Sequence, residues 1–231
     1  MKTFIAASAL VVLVACAPPA KAPEPAAPPA PAAIVPGTTT APSGDYTIDR
    51  SHSTLLFRVN HLGFSHFTGR FTQFDVKLKL DAANPGASLV TATINPKSLA
   101  LDNPPPGFLE KVRGSEFLEA GKFPTMTFAS TAVEMTGPNT AKITGDFTMH
   151  GVTKPVVLDA AFNGGYPGMS LDPHGRVGFS AKGSLKRSDF GIGYGIPAPG
   201  TTMGVSDEVE IIIETELSGP AFIAPPAAPT K

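Results

Sequence analysis

Five histidines, His52, His61, His66, His150 and His174, are the side chains of this sequence best suited to acid–base or metal chemistry near neutral pH. His61 and His66 stand on either side of Gly63, with Asp49 upstream. Asp49, His61 and His66 could hold zinc only if strand pairing brought them to one point with supporting carboxylates behind them, and their spacing does not require that. Asp49, Ser51 and His52 superficially offer a nucleophile and a base. Residues so close along an extended segment alternate faces, so they cannot make a triad by themselves. They read better as groups that satisfy the backbone where a first strand begins. His150 before Gly151 reads as a turn, with the glycine taking positive φ and Thr153 available as a cap. The expectation is therefore no catalytic residues and no metal site.

The elements that carry these residues are extended. In Tyr46–Phe71, the side chains of Leu55, Phe57, Val59 and His61 fall on one face, and Leu56, Arg58, Asn60 and Leu62 on the other. Gly63 breaks the run, and a second strand begins in which Phe67, Gly69 and Phe71 share a face, so the pair reads as a hairpin. The same grammar continues through 71–80, 89–94, 125–133, 141–149, 155–162, 177–185 and 208–217. One interruption differs: after Pro104-Pro105-Pro106, residues 108–120 have helix-compatible spacing weakened by Gly114, enough for one or two short turns. Eight to ten strands in sequential hairpins with one helical insertion predict an all-β antiparallel barrel, with a two-layer sandwich as the alternative.

Flanking segments differ in composition. Lys2 and the apolar run Phe4–Val14 read as a signal peptide, too short for a spanning helix. The run ends in Leu13-Val14-Ala15-Cys16, which resembles the lipobox of bacterial lipoproteins, and Cys16 is the chain's only cysteine. That resemblance implies lipidation of Cys16 and, with Ala17 rather than Asp next, an outer-membrane destination. A Pro/Ala-rich stretch then reads as a semi-rigid polyproline stalk. The expected organisation is a signal peptide at 1–15, a lipidated cysteine and linker at 16–44, one folded domain at 45–218, and a disordered Pro/Ala tail at 219–231. A net charge of −1 carries no nucleic-acid footprint. Membrane attachment would come from the lipid anchor.

Motifs then accumulate in order: Asp49 with Ser51-His52-Ser53, His61-Leu62-Gly63, Gly69-Arg70-Phe71, Ser115-Glu116-Phe117-Leu118 before Phe123-Pro124, Met149-His150-Gly151-Val152-Thr153-Lys154-Pro155-Val156, Arg187-Ser188-Asp189-Phe190-Gly191, and Asp207-Glu208-Val209-Glu210-Ile211. Together they resemble the YceI-like family of lipocalin-like, polyisoprenoid-binding proteins over nearly all of residues 46–217. The resemblance implies an extended eight-stranded barrel with a helical segment over it and a long pore that holds an isoprenoid chain. Composition fits, with 15 phenylalanines, 3 tyrosines and no tryptophan, so the large rings bring few polar atoms needing partners.

The candidate tunnel lining is Phe57, Val59, Phe71, Phe128, Phe147, Phe162, Phe179 and Phe190, with Phe108, Leu109, Phe117 and Leu118 from the insertion. Arg58, Arg70, Lys111 and Arg113 are the candidates for a polar or phosphate head group. The expected function is a non-enzymatic carrier of a polyprenyl phosphate or quinone tail in the bacterial periplasm, with the lipid as ligand and no cofactor. A homodimer through edge or loop surfaces is compatible with it. The alternatives are an envelope stress or interaction scaffold, and an enzyme acting on a lipid or quinone.

Overall fold

The computed structural model describes residues 39–223. The expected signal peptide, Cys16, most of the linker and the end of the tail lie outside the described residues. Ten strands follow one another: β1 (Gly44–His61), β2 (Ser65–Phe71), β3 (Phe74–Leu80), β4 (Leu89–Ile94), β5 (Leu99–Leu101), β6 (Met126–Met135), β7 (Thr140–Met149), β8 (Val152–Tyr166), β9 (His174–Lys186) and β10 (Val205–Ala221). One short helix, α1 (Phe108–Arg113), falls between β5 and β6.

All pairings are antiparallel, and the ladder β1–β3–β4–β6–β7–β8–β9–β10 returns to β1, closing an eight-stranded barrel. β1 can serve as the seam because it is long. Thr47 to His61 pairs with β10, while along the other edge Gly44–Thr47 pairs with β3 and Leu55–His61 with β2. β5 extends β2 by three residues, Gly69 opposite Leu101 to Phe71 opposite Leu99. Closure removes the free edges that an open sheet of this length would present.

Turn chemistry sets the hairpins. The two-residue link from β7 to β8 is His150-Gly151, with φ of 53° and 76°. Positive φ at both positions is what a type I′ turn needs to match strand twist. The anticipated helical segment is a single short helix that ends at Gly114, whose N–H bonds Lys111 O at 3.1 Å.

The interior fills from both ends. At one end Tyr46, Leu78, Val177 and Leu217 form a buried cluster with Ala41, which lies four residues before the expected domain start. Ile94, Met126, Met149, Phe190 and Ile192 close the end beneath α1, and Phe128, Val156 and Leu158 sit between. Two boundaries thus differ from expectation: the fold begins before residue 45, and β10 runs past 218 to Ala221, which pairs with His174. The strand β5 was not expected; three residues are too few to show alternation.

Tyr46 is 1% exposed, and its hydroxyl donates to Pro42 O at 2.7 Å. Gly219 passes directly against its ring: a Cβ there would stand 2.1 Å from Tyr46 Cε1. No side chain fits without moving a fully buried ring. Gly219→Ala is expected to destabilise the barrel by about 1–3 kcal/mol, the usual cost of overpacking. A urea midpoint equal to wild type would show that the Tyr46 end is not tightly packed.

Candidate ligand cavity

The alternation that closes the barrel aims one side chain in two at its axis, and the space left there is a cavity of about 740 Å³. That lies within the range of sites that hold one small-molecule ligand. β1 contributes Leu55, Phe57, Val59 and His61, and β3 contributes Phe74, Val76, Leu78 and Leu80. β10 contributes Val209, Ile211, Ile213, Thr215 and Leu217 in strict period two. The lining runs from Thr39, Pro85 and Asn139 near the Tyr46 end to Pro105, Phe108 and Ile192 beneath α1.

Ten of the twelve expected lining residues border this space: Phe57, Val59, Phe71, Phe108, Phe117, Leu118, Phe128, Phe147, Phe162 and Phe179. Leu109 and Phe190 do not. On α1 the faces separate by helical geometry, so Phe108 and Val112, four apart, face the cavity and Leu109 is turned from it. Phe190 is 1% exposed and packs edge-on to Phe147 at 5.6 Å, as a layer of wall behind the lining. The aliphatic stripe of β10 was the lining least evident in advance, though its alternation was readable in the sequence.

The four head-group candidates lie outside the lining. Arg58 stands on the outer face of β1, 3.7 Å from Glu210, and Arg70 is exposed on β2. Both follow from alternation, since their neighbours Phe57, Val59 and Phe71 point in. Lys111 donates to the Tyr194 hydroxyl at 2.8 Å and pairs with Glu116 at 3.1 Å. Arg113 pairs with Glu110 at 2.9 Å and donates to Leu99 O at 2.7 Å.

The charged side chain that does reach the cavity wall is Arg187, 5% exposed. Its Nε donates to Ser206 O at 2.9 Å, Nη1 to Ile192 O at 3.4 Å and Tyr194 O at 2.7 Å, and Nη2 to Val205 O at 2.8 Å. The guanidinium thus gathers both ends of the Gly- and Pro-rich loop 191–204 at the barrel mouth. Burial pulls its pKa below the usual guanidinium value, opposed by the charge of Asp207.

The histidines do not converge. Asp49 pairs with Glu216 and His61 with Val205, at opposite ends of one strand and roughly 40 Å of extended chain apart. The imagined site of Asp49, His61 and His66 therefore does not form. His52 Nδ1 instead lies 3.1 Å from Asp49 Oδ2 and 3.9 Å from Glu216. Asp49, His52 and Glu216 could offer ligand atoms within 4.8 Å of one another, but Arg176 Nη1 already holds Asp49 Oδ2 at 2.6 Å. The cluster ties β1 to β9 and β10 on the barrel's outside. Asp49 Oδ1 also accepts from Ser51 N at 3.0 Å, and Ser53 Oγ donates to Asp49 O at 2.7 Å, satisfying the backbone at a bulge in β1. His150 Nδ1 meets Phe190 O at 3.0 Å, fastening the β7–β8 turn to the wall.

A closed, eight-stranded antiparallel barrel around an apolar cavity defines the class of this protein by its architecture. The YceI-like domain family matches residues 46–217, and the chain belongs to that family. It is 41% identical over 181 residues to a UPF0312 protein of Ectopseudomonas mendocina, covering 76% of this chain and 88% of the relative. It is 40% identical to a UPF0312 protein of Azotobacter vinelandii, covering 78% and 90%. Among solved structures, a YceI protein of Campylobacter jejuni superposes with a TM-score of 0.58 at 29% identity, over 70% of this chain and 90% of that one. A polyisoprenoid-binding domain from Saccharophagus degradans, implicated in plant cell wall breakdown, shares the fold with a TM-score of 0.55 at 13% identity, over 76% and 98%.

The Asp49 cluster makes a pH prediction. The Arg176 guanidinium, followed by the hydrogen bond to His52, holds the Asp49 carboxyl down at about 2. A depressed carboxyl contributes stability that is full above its unfolded pKa of roughly 4 and is lost as pH falls toward 2. His52, raised chiefly by its hydrogen bond to Asp49, contributes in the opposite sense, losing its share as pH rises through its raised folded-state pKa. Urea midpoints measured from pH 5 to pH 2 should fall less steeply for Asp49→Asn than for wild type. Parallel curves would show that the cluster does not link protonation to folding.

Proposed function

We propose that this protein is a non-enzymatic carrier of a long-chain isoprenoid lipid, a polyprenyl phosphate or the tail of a quinone, in the bacterial cell envelope. The observation that supports it most is the continuous apolar wall, built from Phe and branched aliphatic side chains of most strands and of α1. Burying each 100 Å² of lipid tail in such a space contributes about 2.5 kcal/mol, and that gain does not depend on exact placement of the tail. A flexible polyprenyl chain suits a slender barrel interior better than a rigid ring system would. Family membership and the polyisoprenoid-binding neighbour support a binding protein. The Asp49–His52 pair lies outside the barrel and gives an enzymatic reading no site beside the cavity.

The remaining parts of the proposal rest on the sequence. The lipobox-like Leu13-Val14-Ala15-Cys16 supports anchoring through Cys16, on the periplasmic side of the outer membrane, with the Pro/Ala-rich segment as a tether. Homodimer formation through β5 or the mouth loops belongs to the same proposal.

Ala181 lines the cavity on β9 and provides the test. Delipidated wild-type protein should rebind a long-chain polyprenyl compound, detected by native mass spectrometry. Ala181→Phe, which sets a ring across part of the cavity, should fold with a wild-type circular-dichroism spectrum and lose at least tenfold in affinity. Equal rebinding by the folded variant would place the lipid elsewhere and refute the cavity as its site.

A further inference from the structure

The cavity wall is apolar along its length but chemically unequal at its ends. Toward Tyr46 its polar residues are neutral: Thr39, Ser88, Asn139, Thr140 and Thr215. Beneath α1 they are Arg187 and His61, and the described lining includes no Asp, Glu or Lys. Arg187 and His61 are neighbours through one residue, since His61 pairs with Val205 in the β1–β10 ladder and Val205 O accepts from Arg187 Nη2 at 2.8 Å.

Arg187 also lacks a counterion among the described residues. Asp207, whose charge acts on it, commits its oxygens to Ser188, one accepting from the backbone N–H at 2.9 Å and the other from the hydroxyl at 2.7 Å. The four carbonyls on the guanidinium satisfy hydrogen bonds without neutralising charge. A guanidinium has five N–H groups, so one on Nη2 is left over. A buried cation without an anion is costly, and in surroundings of low polarity its attraction for one is strong. A tail-binding cavity with this charge at one end favours an amphiphile whose head is negative.

Building on the lipid-carrier reading, we propose that the end of the cavity beneath α1 is an oxyanion site. Arg187 and, at the rim, His61 receive the phosphate or carboxylate head of a bound lipid, and the tail runs toward Tyr46. Within the carrier reading this selects a prenyl phosphate over a neutral quinone. It also assigns the head group to a residue of the cavity wall instead of to Arg58, Arg70, Lys111 and Arg113, none of which borders the cavity.

The test compares geranylgeranyl monophosphate with geranylgeraniol on the delipidated full-length protein, by displacement of a fluorescent apolar probe. The phosphate should bind at least about tenfold more tightly, a difference of one unit in log Kd. His61→Gln, at an exposed position, should reduce that preference two- to threefold. Arg187→Met, if its circular dichroism and thermal transition are native, should bring it near unity while alcohol affinity stays at the wild-type value. Palmitate distinguishes sources of the head: tight binding extends the site to acyl carboxylates, weak binding restricts it to phosphates, and both retain Arg187 as the oxyanion partner. Equal affinity of wild type for phosphate and alcohol would overturn the oxyanion site and leave the carrier intact, with the Asn139 end as the place for a neutral head. Binding of neither compound would overturn the carrier reading and this inference with it.

Discussion

The ladder between β1 and β10, first strand against last, is the constraint on which the rest depends. Until those strands meet, the sheet has two free edges and its apolar face is open to water. Once they pair, every inward side chain from the eight strands faces another across the axis, and an interior exists. β1 is long enough to bridge β10 on one edge and both β3 and β2 on the other. The bulge between Asp49 and Thr54 takes up the change of register, with Asp49 and Ser53 satisfying the backbone there. The residues that looked most like a catalytic group in the sequence are therefore part of the seam.

What distinguishes this interior from an ordinary core is that it does not fill. Interiors normally approach crystalline packing density, and one methylene of missing volume is felt. Here buried clusters at the two ends and the middle leave about 740 Å³ open along the axis. An empty apolar space of that size leaves its lining without contact partners, which an apolar ligand would restore. The wall itself is held rigidly: Tyr46 is locked against Gly219, and Arg187 clasps the mouth loop through four carbonyls.

Much of this was legible in the sequence because strand alternation is a local signal. The face shared by Leu55, Phe57, Val59 and His61 lines the cavity as a group, and the His150-Gly151 turn has the backbone that its residues suggested. What was not legible depends on geometry beyond one element. Leu109 and Val112 are both apolar, and only the docking of α1 decides which one faces the cavity. Phe190 sits behind Phe147 because the short helical turn at 187–190 carries it past the lining. The same turn brings Arg187 inward, in a motif that was readable as a family mark while its burial was not. The positive residues that alternation did place, Arg58 and Arg70, it placed outside. Asp49 and His61, twelve positions apart on one strand, show how shared residue chemistry says nothing of convergence until pairing is known.

The most direct test of the central claim is native mass spectrometry of the wild-type protein purified from a bacterial envelope, followed by organic extraction of what accompanies it. The account predicts one lipid per chain, released on denaturation, whose fragments step by five-carbon isoprenoid units. A folded barrel that carries only unbranched acyl lipids, or remains empty after exposure to polyprenyl compounds, would contradict it.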